Sequence, residues 1–444
     1  METVNQSPSD GESKPNTETI LSHSPNLKRY ATYLFVMLFL LYMFDYIDRL
    51  VVTSLFPFLE RDMGLNDAQS GALVSAVYWS IVVFTFPISI LIDRWSRRRS
   101  IGLMVIVWSV ATGLCALAGS FGALFAVRLA VGVGEAGYAP GGNALISAMY
   151  TPEKRSRMLG FWNASIPLGS AIGIVLGGLI ATRWGWRHAF GIVALPGLLI
   201  GLLFFFTVKD YRTVRLQKRS ATGTMRVKMS PRDIVTQFTR TPSLLFTYFG
   251  FAGNTFVTTA LLTWLPTYFH RYQGLPISQA SLKAAPVLLI AVVGAPLGGI
   301  IADAWMKRRV NARLLFAATT SVLSSALLFV AFAAASGAVQ YIVLLAGGLT
   351  AVAYVSAASA VTEDVVHPGL WAISYSVAVV IQNLLGSSMG PVVVGALSDA
   401  RGLSAALLVV PLFSFLAGVL FFIGSFFYPR DYAKVEKVRL ELDR

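Results

Sequence analysis

Apolar runs of about 20 residues, repeated twelve times, constrain this chain more than any other feature. Ile192–Val208 is one such run, without a single charged residue. A soluble helix alternates apolar and polar faces, whereas a run apolar all round and this long matches the thickness of a bilayer core. The twelve runs lie near 30–57, 69–92, 100–119, 121–149, 156–182, 186–208, 243–270, 277–303, 312–335, 339–362, 370–398 and 404–428. Lipid offers no partner to the backbone, so spans must be helices or a closed barrel. No strand-like alternation appears, and the expected fold class is an all-α integral membrane protein of twelve helices. Composition agrees: of 444 residues, 55% are hydrophobic and only 13% charged, where a soluble domain carries about 25% charged.

The net charge of +14 would suggest nucleic acid in a soluble chain, but its distribution gives another answer. Five cations fall in the odd-numbered loops (Arg61, Arg183, Arg187, Arg271 and Arg401) and three inside spans (Arg49, Arg128 and Lys283), while the other 28 of 36 sit in the even-numbered loops and tails. The positive-inside rule then places both termini in the cytoplasm of a multi-pass protein of the cell membrane. Arg183 and Arg187, and the cation-free loop at Glu363–Asp364, run against the rule. The basic surface is read as topology and contact with lipid headgroups, not as a nucleic-acid surface.

The longest break, 209–242, carries nine cations and two acids. It divides the chain into a tail (1–29), a six-helix bundle (30–208), a basic linker (209–242), a second bundle (243–428) and a tail (429–444). The halves repeat. Ser89-x3-Asp93-Arg94-Trp95-Ser96-Arg97-Arg98 returns 210 residues later as Gly299-x3-Asp303-Ala304-Trp305-Met306-Lys307-Arg308, and Gly169, Gly173, Gly178 and Gly185 return 217 residues later as Gly386, Gly390, Gly395 and Gly402. Parallel six-helix repeats with a site between them are the plan of a secondary transporter.

Charges inside spans cost at least about 2.5–3.5 kcal/mol each and so need a partner or a task. Span one holds Asp45, Asp48 and Arg49, and span four holds Arg128 and Glu135. Asp45 and Arg49 are one helical turn apart; Arg128 and Glu135 are two turns apart, with Tyr138 a turn further. Asp48, Glu135 and Asp45 are the expected proton-coupling acids. Arg49 and Arg128 are the expected holders of an anionic group, with Tyr42, Tyr138, Asn163, Asn254, Tyr375 and Asn383 around it. The alternative is a set of permanent ion pairs that fix span one against span four. Asp93, Arg97 and Arg98, and more weakly Asp303 and Arg308, read as gating residues at the ends of spans.

At these residues the chain resembles the major facilitator superfamily, across essentially all of 30–428. The Asp93–Arg99 loop is similar to that superfamily's motif between helices two and three, with Ser89 and Ser96 where glycines are usual. Arg128-x3-Gly132-x-Gly134 resembles its fourth-helix basic motif. Asp48-Arg49, Gly132-Val-Gly134-Glu135-Ala136-Gly137-Tyr138 and Ile166-Pro167-Leu168-Gly169 resemble the Spinster branch, and are also similar to the anion:cation symporters that carry sugar acids and other organic anions. The resemblance implies a monomeric secondary transporter, either a proton-coupled symporter of a small organic anion or a Spinster-type exporter of a lysolipid or sphingoid lipid. No enzyme is implied: there is no P-loop or nucleophile elbow, and His23, His188, His270 and His367 are scattered. The single cysteine, Cys115, excludes an intrachain disulfide and a cysteine-cluster metal site, and no cofactor or metal is expected.

Overall fold

The structure is a computed structural model that describes residues 25–94, 97–150, 152–208, 238–367 and 370–435. Among these the elements are helical throughout. Span one is α1 (Pro25–Leu50), a 3-10 turn (Val51–Ser54) and α2 (Phe56–Met63). Spans two and three are α3 (Asp67–Arg94) and α4 (Arg97–Cys115). Span four is α5 (Phe121–Glu135) with α6 (Tyr138–Met149), span five is α7 (Pro152–Asn163) with α8 (Ser165–Trp184), and span six is α9 (Trp186–Thr207). In the second half, span seven is α10 (Pro242–Gln273) and span eight is α11 (Ile277–Leu289) with α12 (Ala291–Met306). Span nine is α13 (Ala312–Ala333), span ten α14 (Gly337–Ala353) with α15 (Val355–Asp364), and span eleven α16 (Trp371–Ile381), a π turn (Gln382–Ser387) and α17 (Met389–Arg401). Span twelve is α18 (Leu403–Ala433).

Eleven of these spans are long and apolar enough to cross a membrane by length and composition alone. The outer limits differ from those expected: α1 begins inside the 1–29 tail and α18 runs on to Ala433. A helix propagates for as long as its backbone bonds are made, past the end of the apolar run. Most of the 209–242 linker lies outside the described residues.

Prolines set the breaks inside spans. Pro140 has no N–H to give the Ala136 carbonyl, and α5 stops at Glu135; the Thr85 hydroxyl of span two, shared with Ile81, stands 3.1 Å from that carbonyl instead. Pro167 likewise follows the end of α7, and Pro391 follows the π turn. Glycines permit the close crossings, as expected for small residues between membrane helices. A Cβ on Gly298 would lie 2.0 Å from the Ala353 carbonyl oxygen, and one on Gly169 2.3 Å from that of Met43.

The face carrying the N-terminus of α1 is called the terminal face and the opposite one the distal face. The halves are joined toward the distal face. Phe56 packs on Trp264 with ring centroids 5.1 Å apart, Ser54 Oγ is 3.0 Å from Ser281 Oγ, and Ser75 Oγ donates to the Ser388 carbonyl at 2.5 Å.

Candidate functional site

The intramembrane charges converge where α1 faces the end of α5. Asp45, Arg49 and Glu135 are 1%, 6% and 4% exposed. The one-turn spacing does bring Asp45 to Arg49: Nη2 lies 2.8 Å from Asp45 Oδ2. The same nitrogen lies 2.7 Å from Glu135 Oε2. One guanidinium is thus shared by two carboxylates, an arrangement short of one positive charge. Two tyrosine rings complete the cage, with the guanidinium carbon 4.5 Å from the Tyr46 centroid and 5.2 Å from that of Tyr78. Arg49 Nε, Asp45 Oδ1 and Glu135 Oε1 are buried without a hydrogen-bond partner, so the cluster keeps unused capacity of both signs.

Arg128 does something different from what its spacing to Glu135 suggests. It is fully buried and gives its donors to backbone carbonyls: Nε to Leu73 at 3.1 Å, Nη1 to Asp48 at 3.1 Å and Nη2 to Arg49 at 2.8 Å. It therefore ties spans one, two and four together at the last turn of α1, whose carbonyls have run out of helical donors. In this structure its fork is occupied by carbonyls rather than turned to a cavity.

Asp48 turns away from the triad, as its position one residue from Arg49 requires. Both of its carboxylate oxygens lack a hydrogen-bond partner, as do the Ser109 and Thr112 hydroxyls and the Trp108 indole N–H on α4. A Cβ on Gly197 would lie 3.0 Å from Ser109 Oγ and 3.7 Å from Asp48 Oδ2, which places these groups together between spans one, three and six. The acids expected to couple protons thus fall into two pockets, Asp45 with Glu135 in one and Asp48 in the other.

Around the triad stands an aromatic wall. Tyr42 stacks on Trp162 with centroids 4.3 Å apart, and Tyr138 sits 5.5 Å from Tyr42 and 5.4 Å from Trp108. The Tyr138 hydroxyl and the Trp162 indole N–H both donate to the Leu38 carbonyl, at 2.5 and 3.2 Å. Trp162 was missed by sequence reasoning, which chose Asn163. Trp162 is buried and Asn163 exposed. The end of α7 before Pro167 fixes that rotation.

The expected residues of the second half are not gathered in the same way. The Asn254 amide is bonded inside its own bundle, donating to Ser321 Oγ at 2.7 Å and accepting from Ser414 Oγ at 2.7 Å. Tyr375 is 43% exposed, and Asn383 is half-buried on the π turn.

Of the gating residues, the side chains of Asp93 and Arg97 lie outside what is described. Arg98 donates to the Phe205 carbonyl from Nε at 3.1 Å and from Nη2 at 2.7 Å, joining spans three and six of one half. Asp303 pairs with Arg313 at 2.9 Å rather than with Arg308, which is exposed. Arg313 also bonds Asp364, to which the Tyr428 hydroxyl donates at 2.6 Å. Among the described residues no group of three His, Cys, Asp or Glu is placed to hold a metal ion.

Two helical bundles in tandem, joined toward the distal face and with a buried charged cluster inside the first, have the plan of a membrane transporter. Residues 38–386 match the model of the Major Facilitator Superfamily, and the chain belongs to that family. It is 27% identical to the hexuronate transporter of Bacillus subtilis, over 66% of this chain and 70% of that one. It is 25% identical to protein spinster homolog 1 of Xenopus laevis, over 90% of this chain and 82% of that one. A solved structure of a bacterial homolog of the human lysosomal transporter Spinster, inward-facing and unoccupied, shares its fold with a TM-score of 0.79 at 24% identity, covering 91% of this chain and 98% of the other.

Proposed function

We propose that the protein is a proton-coupled symporter of a small organic anion, a carboxylate, that works as a monomer by alternating access across the cell membrane with both termini cytoplasmic. The observation that carries this reading is the sharing of Arg49 between Asp45 and Glu135. Protonating either acid leaves a single carboxylate on Nη2 and removes the excess negative charge, so that a substrate carboxylate can approach the guanidinium, whose Nε has no partner. Proton and anion then bind together because each relieves the charge the other leaves. Asp45 and Glu135 carry protons at this site and Asp48 in its separate pocket, while Arg128 positions Arg49 by holding the backbone beneath it. The names of relatives agree in chemistry: besides the hexuronate transporter, they include a probable L-galactonate transporter of Escherichia coli, 24% identical.

A second reading is export of a lysolipid or sphingoid lipid with the phosphate on Arg49. It is favoured by the near full-length match to the spinster homolog and by the wall of Tyr42, Tyr138 and Trp162, which suits an apolar chain. Proteoliposomes separate the two. Labelled hexuronate or galactonate should accumulate under an acid-outside gradient, and a protonophore should abolish the accumulation. Movement of labelled lysolipid with no gradient-dependent uptake of any sugar acid would replace the first reading by the second.

A further inference from the structure

The N-terminus of α3 is completed by the other half of the molecule. The first backbone N–H groups of a helix have no partner inside it. The local sequence supplies part of what is missing: Gln69 N donates to Asn66 Oδ1 at 2.8 Å and Asn66 N to Gln69 Oε1 at 3.1 Å, a reciprocal capping box. The N–H groups of Asp67 and Ala68 go instead to Asp399, the penultimate-but-one residue of α17, at 2.8 Å to Oδ1 and 2.9 Å to Oδ2. Its negative charge also suits the positive end of the helix dipole. Beside it, Ser398 donates to the Asp67 carboxylate.

From span seven, Arg271 grips the same carboxylate with both terminal nitrogens, at 2.8 and 2.6 Å, and reaches Glu60 at 2.8 Å. The backbones beneath touch directly. A Cβ on Gly395 would stand 2.3 Å from the Asp67 carbonyl oxygen, and one on Gly71 2.3 Å from that of Pro391. Close-packed contacts of this kind separate as a unit, not by degrees.

We propose that this cap in trans is the latch of the distal face: Asp399 closes the transporter by completing the helix of the opposite half, and opening the distal side requires α3 to give up those two acceptors together with the Arg271 clamp. The proposal rests on alternating access but not on the substrate or on proton coupling. A latch made by capping depends on oxygen acceptors, of which asparagine keeps one of the two, whereas a latch made by charge alone is lost as fully in asparagine as in alanine. Loss of a helix cap shifts an equilibrium by about fivefold.

The test uses the full chain with Cys115→Ala and spin labels at Ala123→Cys and Ala338→Cys, exposed positions in the first turns of α5 and α14 at the distal ends of the two halves. Distances between labels in lipid nanodiscs need no substrate. Asp399→Ala should raise the ratio of distal-open to distal-closed molecules about fivefold, Asp399→Asn should fall between the parent and the Ala variant, and Arg271→Gln should also shift toward open. Gln69→Ala, which removes the cap internal to one half, should leave the ratio unchanged. An Asn variant as open as the Ala variant, or an Ala variant with the parent's distance distribution, overturns the proposal. Failure of the transport reading would leave these distances untouched.

Discussion

Glu135→Gln should abolish proton-driven accumulation while substrate exchange persists. Glutamine keeps the shape of glutamate and mimics its protonated form. In the parent, Glu135 Oε2 lies 2.7 Å from Arg49 Nη2 and competes with any anion for that guanidinium. In the variant the competition is gone for good, so the site stays loaded as though a proton were bound. Exchange of labelled for unlabelled substrate needs no proton release and continues. Net accumulation does need it: a gradient of one pH unit is worth 1.36 kcal/mol per proton, about a tenfold concentration ratio. That ratio should fall to about one, measured as steady-state uptake into proteoliposomes with an alkaline lumen, with counterflow as the paired control. Should the variant accumulate substrate as the parent does, Glu135 is a fixed ion-pair partner and the coupling acids lie elsewhere. Arg49 retains Asp45 as a partner, 2.8 Å away in the parent, and persistent counterflow in the variant reports that it is folded.

The features legible in the sequence are those fixed by the solvent. Lipid demands long apolar helices and penalises charge, so twelve spans, two halves and five costly residues in spans one and four could be read without coordinates. The pairing of Asp45 with Arg49 was legible because one helix carries both and a four-residue spacing settles their face. Glycine at the crossings was legible for the same reason of local geometry.

The unread parts depend on rotation after a break, or on partners that carry no side-chain signature. Asn163 and Trp162 differ by one position, and the end of α7 before Pro167 decides which of them is buried. Asn254 looked like a free amide in an apolar span, and only the approach of α13 and α18 supplies the serines that satisfy it. The distal latch joins Asp67 to residues 204 and 332 positions away. Asp93 nearly ends α3 at the terminal face as Asp399 nearly ends α17 at the distal face. Two antiparallel helices of opposite halves thus each carry an acid near their C-terminal end, a relation that only their packing together makes visible.

Arg128→Lys should show how much of the site is held up by backbone. The two side chains carry the same charge, and the i,i+7 spacing to Glu135 alone would make them equivalent as electrostatic partners. The geometry separates them. Arg128 reaches three carbonyls, of Leu73, Asp48 and Arg49, from three nitrogens fixed in one plane. An ammonium is a compact point donor on a flexible stem and cannot span the same three acceptors. At least one or two buried carbonyls would be left without a partner, each costing about 1–3 kcal/mol. Because two of them belong to residues 48 and 49, the turn that presents Arg49 to Asp45 and Glu135 loosens as well. Arg128→Lys is therefore expected to lower the melting temperature in detergent and to weaken apparent substrate affinity about tenfold or more, both in one variant. Arg128→Ala, which leaves all three carbonyls unpaired, should cost more in stability than the Lys variant. A Lys variant with weaker affinity but unchanged melting would return Arg128 to direct contact with the anion. A variant unchanged in both would mean that the carbonyl clamp does not support the site.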